Sequence, residues 1–267
     1  MMKIAQLIQT INWQQPWLVS LCEVAAPLLQ STDRLRALNE RAMLDNLRTH
    51  GGAPLRFVPQ SDLPPDTAYE AFIGATGCIP TRENLHDFFN ALVWLTFPRI
   101  KAELNALQAA QIGKFGVGKS RGPARDAATI FDENAALLVT RDADLVLALR
   151  AHRWQEAFLG RRTSFGRDSE VWLFGHALME KLVAPYKAIT AHAWVVVADA
   201  AFFAMSGPDK RDWIDATVAE KLAHGLTTFD FIPLPVLGVP GWWDSQDEAF
   251  YDDAAVFRPR RTGKSVA

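Results

Sequence analysis

Arg82, His86 and Asn90 recur every four residues in TRENLHDFFNALVWLT. On an α-helix that interval lines a guanidinium, an imidazole and an amide along one flank. Leu85, Phe88, Phe89 and Leu92 form the apolar stripe beside them. Such a flank can hold an anion or move a proton, and Asp87 adds a carboxylate farther round. His176 and Glu180 also stand four apart, inside FGHALMEKL. If that segment is helical they point the same way, a usable spacing for two ligands of a zinc or iron site. His192, in the apolar run AITAHAWVVV, is the available third ligand, and Lys181 is a cation beside the pair. There is no HExxH motif.

A third group crowds RGPARDAATIFDEN. Arg125 and Thr129 share a helix face, Asp126 is adjacent, and Asp132 and Glu133 begin a turn. A carboxylate pair does acid–base work when its surroundings separate the two pKa values. Adjacent acids in a turn are ordinarily just solvated, so Asp132 and Glu133 stay outside the candidate set. The expected catalytic residues are His86, Asp87, Arg125 and Asp126. Arg82, Asn90, Lys181, Trp242 and Trp243 are the expected ligand-binding residues, and His176, Glu180 and His192 the expected metal ligands. The cofactor is open, a divalent metal being the one these side chains admit. The competing expectation is structural: ion pairs, helix caps and satisfied core histidines.

Gly113 to Ser120 reads GKFGVGKS, a literal GxxxxGK[ST] pattern. A phosphate cradle needs a strand before it and an uninterrupted helix after its Lys-Ser. LNALQAAQI precedes it with helix formers and Arg121-Gly122-Pro123 follows it. A surface loop is expected, with nucleotide binding the minor alternative. No GxSxG elbow surrounds any serine and no GxGxxG follows a strand, which removes two common enzyme classes.

The elements that position these residues read as a helix-rich α+β single domain. Ser31, Thr32 and Asp33 can cap a helix through Leu47. Pro59, Pro64 and Pro65 then mark an extended connector. Thr81 can cap the helix before Pro98, and a second helix covers 99–112 and a short one 123–131. AALLVT reads as a strand and DADLVLALRAHRWQEAFL as a helix. VWLFGHALMEKL and AITAHAWVVVADAAFF are nearly continuous apolar runs that periodicity cannot assign. FIPLPVLGVPGWW, with its prolines and glycines, is expected to be an extended strap packed on a core with a small sheet. Residues 1–30 are expected to be peripheral, 31–260 the core and 261–267 a disordered tail.

Four blocks resemble a proteobacterial family, domain of unknown function 3025. They are TGCIPTRENLHDFFNALVWLTFPRIKAELNALQ, RGPARDAATIFDENAALL, FGHALMEKLVAPYKAITAHA, and PLPVLGVPGWW with FYDDAAVFRP. They span most of the chain from Tyr69 to Pro259. The resemblance implies one domain in the bacterial cytoplasm and brings no activity or catalytic residue. It also implies that GKFGVGKS is a variable connector, since no block includes it.

Net charge is −2, from 28 basic and 30 acidic residues, so no overall nucleic-acid footprint exists. Arg150, Arg153, Arg161, Arg162 and Arg167 form a local basic run that reads as a solvated face. Cys22 and Cys78 sit in no ligand or redox spacing and fit a reducing compartment. MMKIAQLIQT lacks the unbroken apolar region of a signal peptide, and the longest apolar stretch, Ala193–Met205, contains Asp199. A cytoplasmic protein with a small-molecule ligand, no membrane segment and an open oligomeric state is expected. A small-molecule enzyme with hydrolase-like acid–base chemistry, assisted by a metal or not, leads over a binding protein that uses the strap and its tryptophans.

Overall fold

The computed structural model of the protein describes residues 4–116 and 123–260. The chain opens with helices α1 (Ile4–Gln9), α2 (Val19–Gln30) and α3 (Arg34–Leu44). Asp33 caps α3 by accepting from Arg36 N. Residues 1–30 were expected at the periphery. Instead Trp17, Leu21, Val24 and Leu28 are buried in the main core, because α2 lays its apolar face on the helix that carries His86.

Strand β1 (Arg56–Pro59), helix α4 (Tyr69–Thr76) and strand β2 (Cys78–Thr81) form a small crossover unit, with β1 and β2 parallel. The connector reading missed β1. A four-residue strand ending in proline is too short for alternation to show. Helix α5 (Leu85–Thr96) follows. Its cap is Asn84, which accepts from Asp87 N at 2.7 Å, and not Thr81, which lies at the end of β2. Helix α6 (Pro98–Phe115) starts one residue after α5 ends. Proline suits a helix's first position because its missing N–H would have no partner there.

Helix α7 (Pro123–Asn134) runs directly into strand β3 (Ala135–Thr140), which is buried along its whole length. Helix α8 (Ala143–Arg150) is shorter than the sequence pattern suggests, because His152 adopts a left-handed φ of 56°. The ambiguous runs each divide. One gives strand β4 (Ser169–Leu173) and helix α9 (His176–Lys181), the other strand β5 (Thr190–Val197) and helix α10 (Ala200–Ala204). Helix α11 (Gly207–Leu222), strand β6 (Phe231–Pro235) and helix α12 (Glu248–Tyr251) complete the order. The main sheet runs β4-β3-β5-β6; β3 pairs β5 in parallel and β4 antiparallel. The architecture is helix-rich α+β with small sheets.

The strap is β6 and the residues after it. Ile232, Leu234, Val236, Leu237 and Val239 are buried. Gln246 fastens it, donating to Leu237 O at 2.7 Å and Val239 O at 2.9 Å and accepting from Gly241 N at 2.8 Å. No helix among the described residues is long and apolar enough to cross a membrane.

Candidate functional site

The site forms where α5, α7 and α9 meet. Its geometry begins with Gly175, the residue before α9. A Cβ there would lie 2.5 Å from Asn134 N and 2.6 Å from Ala135 N, so only glycine lets the two backbones touch. Phe174 N and Gly175 N both donate to Ala135 O, at 3.1 and 2.8 Å. This pins the start of α9 against the α7–β3 junction. His176 therefore faces Asp132 and Glu133 in the last turn of α7, while α5 brings His86 from the other side.

His176 is 3% exposed. Its Nε2 lies 3.1 Å from His86 Nε2 and 3.6 Å from Glu133 Oε2. The two rings meet edge-on, their centroids 4.5 Å apart. His86 Nδ1 lies 3.1 Å from Glu180 Oε2. His176 Nδ1 has no hydrogen-bond partner, and Asp132 Oδ2 stands 3.9 Å from it. His86, Glu133 and His176 each offer one ligand atom, all within 4.8 Å of one another. Burial lowers the His176 pKa to about 4, against the opposing charge of Asp132, so this imidazole is neutral at pH 7. Burial, then Asp132, raises the Glu133 carboxyl.

Beneath this trio lies a buried polar layer. Lys101 on α6 is 4% exposed and donates to Asp132 Oδ1 at 2.5 Å and Asn90 Oδ1 at 2.8 Å. Its ammonium also sits 5.1 Å from the centre of the Trp94 ring. Asn90 donates to the Tyr69 hydroxyl at 3.2 Å. Burial pushes the Asp132 carboxyl up, but Lys101 and His176 outweigh that and hold it below its ordinary value. Glu70 on α4 accepts from Asn105 Nδ2 at 2.6 Å. Burial and then Asp132 raise its pKa, with Lys101, Asn105 and Arg125 opposing.

The expected residues separate into two groups. His86, His176 and Glu180 converge, with Asn90 one layer below. Arg82 and Asp87 form a two-pronged ion pair, with both side-chain contacts at 3.0 Å, and Asp87 also accepts from Arg82 N. Asp87 thereby fixes the start of α5 and stands outside the trio. Asp126 and Lys181 are exposed and Arg125 half-buried. His192 does not join the metal-ligand group. Its Nδ1 lies 3.0 Å from Asn134 Nδ2 and its ring stands edge-on to Phe231, because strand β5 pairs it with Ala135 and Pro233. Glu180 reaches His86 Nδ1, and Glu133 is the carboxylate in the trio. Trp242 packs on Trp17, and Trp243 is 36% exposed.

Sequence reasoning missed Glu133, Asp132 and Lys101 as site residues. Arg125, Thr129 and Asp132 do follow a helical interval, a signal that the assumed early end of α7 concealed. Within GKFGVGKS, Gly113 to Phe115 are the last residues of α6, so a helix leads into the motif. Lys119 and Ser120 lie outside the described residues.

A family model described as a protein of unknown function, DUF3025, matches residues 55–261. The chain belongs to that family. Every member of the His86–Glu133–His176 trio, and Glu180 beside it, falls inside the part that carries the DUF3025 likeness. Comparison with curated proteins and with solved structures returned no match.

Proposed function

We propose that this DUF3025 protein is a metal-dependent hydrolase of a small polar substrate, with His86, His176 and Glu133 as ligands of one divalent ion. The observation that carries the reading is the facing of two imidazole Nε2 atoms at 3.1 Å. Glu180 is placed to accept a hydrogen bond from His86 Nδ1–H, and Asp132 lies on the Nδ1 side of His176. With both protons on Nδ1, two lone pairs point at each other, and a shared cation removes the repulsion. The alternative is a direct bond from His176 Nε2–H to His86. It leaves a buried His176 Nδ1 lone pair on the side of a carboxylate, which is costly.

Charge supports the same reading. Four carboxyl groups, Glu70, Asp132, Glu133 and Glu180, face two cations, Lys101 and the more distant Arg125. Two histidines and a carboxylate, each histidine backed by an outer carboxylate, are a donor set suited to zinc or iron with a position left for substrate. An ion held there would polarise a substrate oxygen and acidify a water. Glu180, 41% exposed at its side chain, would orient His86 by accepting from its Nδ1–H. Lys101 keeps Asp132 ionised behind His176. A bacterial cytoplasmic home belongs to this reading and is supported by the free thiols of Cys22 and Cys78.

The test is titration with Zn²⁺ and Co²⁺, followed by calorimetry and by the visible spectrum of bound cobalt, then an ion-dependent screen of ester and phosphoester hydrolysis. One ion per chain is expected, lost in His86→Ala and in His176→Ala. No binding up to about millimolar ion, a generous limit on the affinity scale, would leave the histidine pair as a metal-free hydrogen bond and overturn the proposal.

A further inference from the structure

A cleft of about 480 Å³ opens between the strap, β4 and the 3-10 turn Pro16–Leu18, and none of its lining residues belongs to the histidine cluster. Its walls are Trp17, Phe165, Val171, Trp172, Val239 and Trp242. Trp17 and Trp242 pack with ring centroids 6.0 Å apart. Volume and lining are those of a small-molecule site, which typically measures about 300–1,000 Å³ and carries few polar groups.

The polar groups that line it are not equally committed. Glu23 is bonded to Arg211 at 3.0 Å. Glu170 accepts from Lys210 at 2.6 Å and from Trp172 Nε1 at 3.0 Å. Arg162 differs. Its guanidinium donates to the backbone oxygens of Gln246 and Phe158 and meets the Tyr251 hydroxyl, but no carboxylate pairs with it among the described residues. The Trp17 indole is 3% exposed, and its Nε1–H has neither an acceptor nor accessible surface, so this residue reports on the cleft through its ring. A buried N–H without a partner is uncommon, because desolvating it is unfavourable. The first turn of α11, through Gly207 and Pro208, adds the positive end of a helix dipole to the lining. The charges that neutralise one another leave a positive remainder beside three tryptophans.

We propose that this cleft binds a flat apolar molecule bearing a carboxylate, its ring against the tryptophan-lined wall and its anion taken by Arg162. Aromatic faces favour a planar body. A guanidinium with no carboxylate partner favours an anionic acceptor over a neutral one. The site is independent of the metal proposal, since no residue is shared.

The experiment uses 2-naphthoate and its neutral counterpart 2-naphthamide as probes, followed through the indole N–H resonances of the full chain, with Trp17 assigned by Trp17→Phe. Saturable 2-naphthoate binding should move the Trp17 resonance, with 2-naphthamide weaker by about tenfold or more, the scale of one charge-assisted hydrogen bond. Arg162→Gln should remove that preference, bringing the ratio of the two affinities to about one. His176→Ala should bind 2-naphthoate as the parent does. Equal affinity for the two probes in the unaltered protein overturns the proposal, whatever the stability of the variants. So does a saturable shift confined to other tryptophans, or loss of binding in His176→Ala, which would assign the ligand to the histidine cluster.

Discussion

His86 and His176 are 90 positions apart in the chain, yet their Nε2 atoms lie 3.1 Å from each other. Neither helix alone explains this. α5 supplies His86 from a face otherwise devoted to the core, and α9 supplies His176 from its first residue. The backbone contact of Gly175 with Asn134 and Ala135 sets the second relative to α7. Each imidazole also has a carboxylate on its far side, Glu180 for His86 and Asp132 for His176.

The outer carboxylate on His86 is testable without removing a ligand. Glu180→Gln should weaken Zn²⁺ binding about 10–100-fold, the usual cost of losing such a partner. The urea-unfolding free energy should change by no more than about 0.5 kcal/mol, since the side chain is partly exposed. Calorimetry and urea melts on the same sample separate the two effects.

Lys101 should matter more to stability than any other charged side chain of the site. Lys101→Met leaves the Asp132 carboxylate buried without its 2.5 Å partner, a loss of about 3–5 kcal/mol by denaturant unfolding. Adding Asp132→Asn should return part of that loss, because the orphaned charge is then gone.

Two glycines should respond to alanine in opposite directions. Gly175→Ala drives a Cβ into backbone atoms at 2.5–2.6 Å and should destabilise by about 1–3 kcal/mol while loosening Zn²⁺ binding, as overpacking moves α9. Gly113, in the last turn of α6, has nothing within 4 Å of the added Cβ. There alanine should stabilise by about 0.5–1 kcal/mol through helix propensity. Paired melting curves check both.

Asp215 gives a pH dependence. From α11 it accepts from Arg99 N at 3.0 Å and Ile100 N at 2.9 Å, capping α6 from outside that helix. Burial nevertheless raises its pKa from 3.8 to about 6, against the effect of those two bonds. The folded chain therefore binds more protons than the unfolded one between these values. The Asp215 contribution falls as pH rises through that window, by on the order of 2–3 kcal/mol. Asp215→Asn should lack this component, so the stability difference between parent and variant should shift in favour of Asn from pH 3.8 to about 6. A pH-independent difference in urea melts would refute the assignment.

The strap should behave as a structural member. Strand β6 pairs with β5, and Tyr251 donates to Gly238 O at 2.9 Å. A chain ending at Ile232 should unfold at a much lower temperature, having lost several buried aliphatic side chains worth roughly 1.5–3 kcal/mol each. A chain ending at Arg261 should melt like the whole protein. Its Arg258 oxygen still accepts from Trp154 Nε1 at 2.8 Å.

What the sequence disclosed followed the strength of local patterns. The interval of four at Arg82, His86 and Asn90 was visible because a strong apolar stripe ran beside it. The direct passage of α7 into β3 was not, so Asp132 and Glu133 looked like turn acids when they occupy a final helical turn. Lys101, Asn105 and Gln108 sit at helical spacing and are all buried. One sequence cannot distinguish such a stripe from a solvated face, because what covers it comes from α4 and α7, far along the chain. The separation of His192 from the trio was hidden for a related reason: a strand's pairing register decides what its histidine faces, and spacing along the chain does not contain it.

The DUF3025 likeness begins at residue 55, whereas the interior begins much earlier. Trp13 meets the rings of Phe88 and Phe89 at 6.4 and 6.3 Å, and α2 covers the same helix that carries His86. A fragment of this chain limited to the matched stretch would keep the histidines and leave the Phe88–Phe89 flank without its cover. The stretch by which kinship is detected is shorter than the stretch that covers the histidine helix, so a minimal folded fragment has to be cut by the wall of α2 and not by the edge of resemblance.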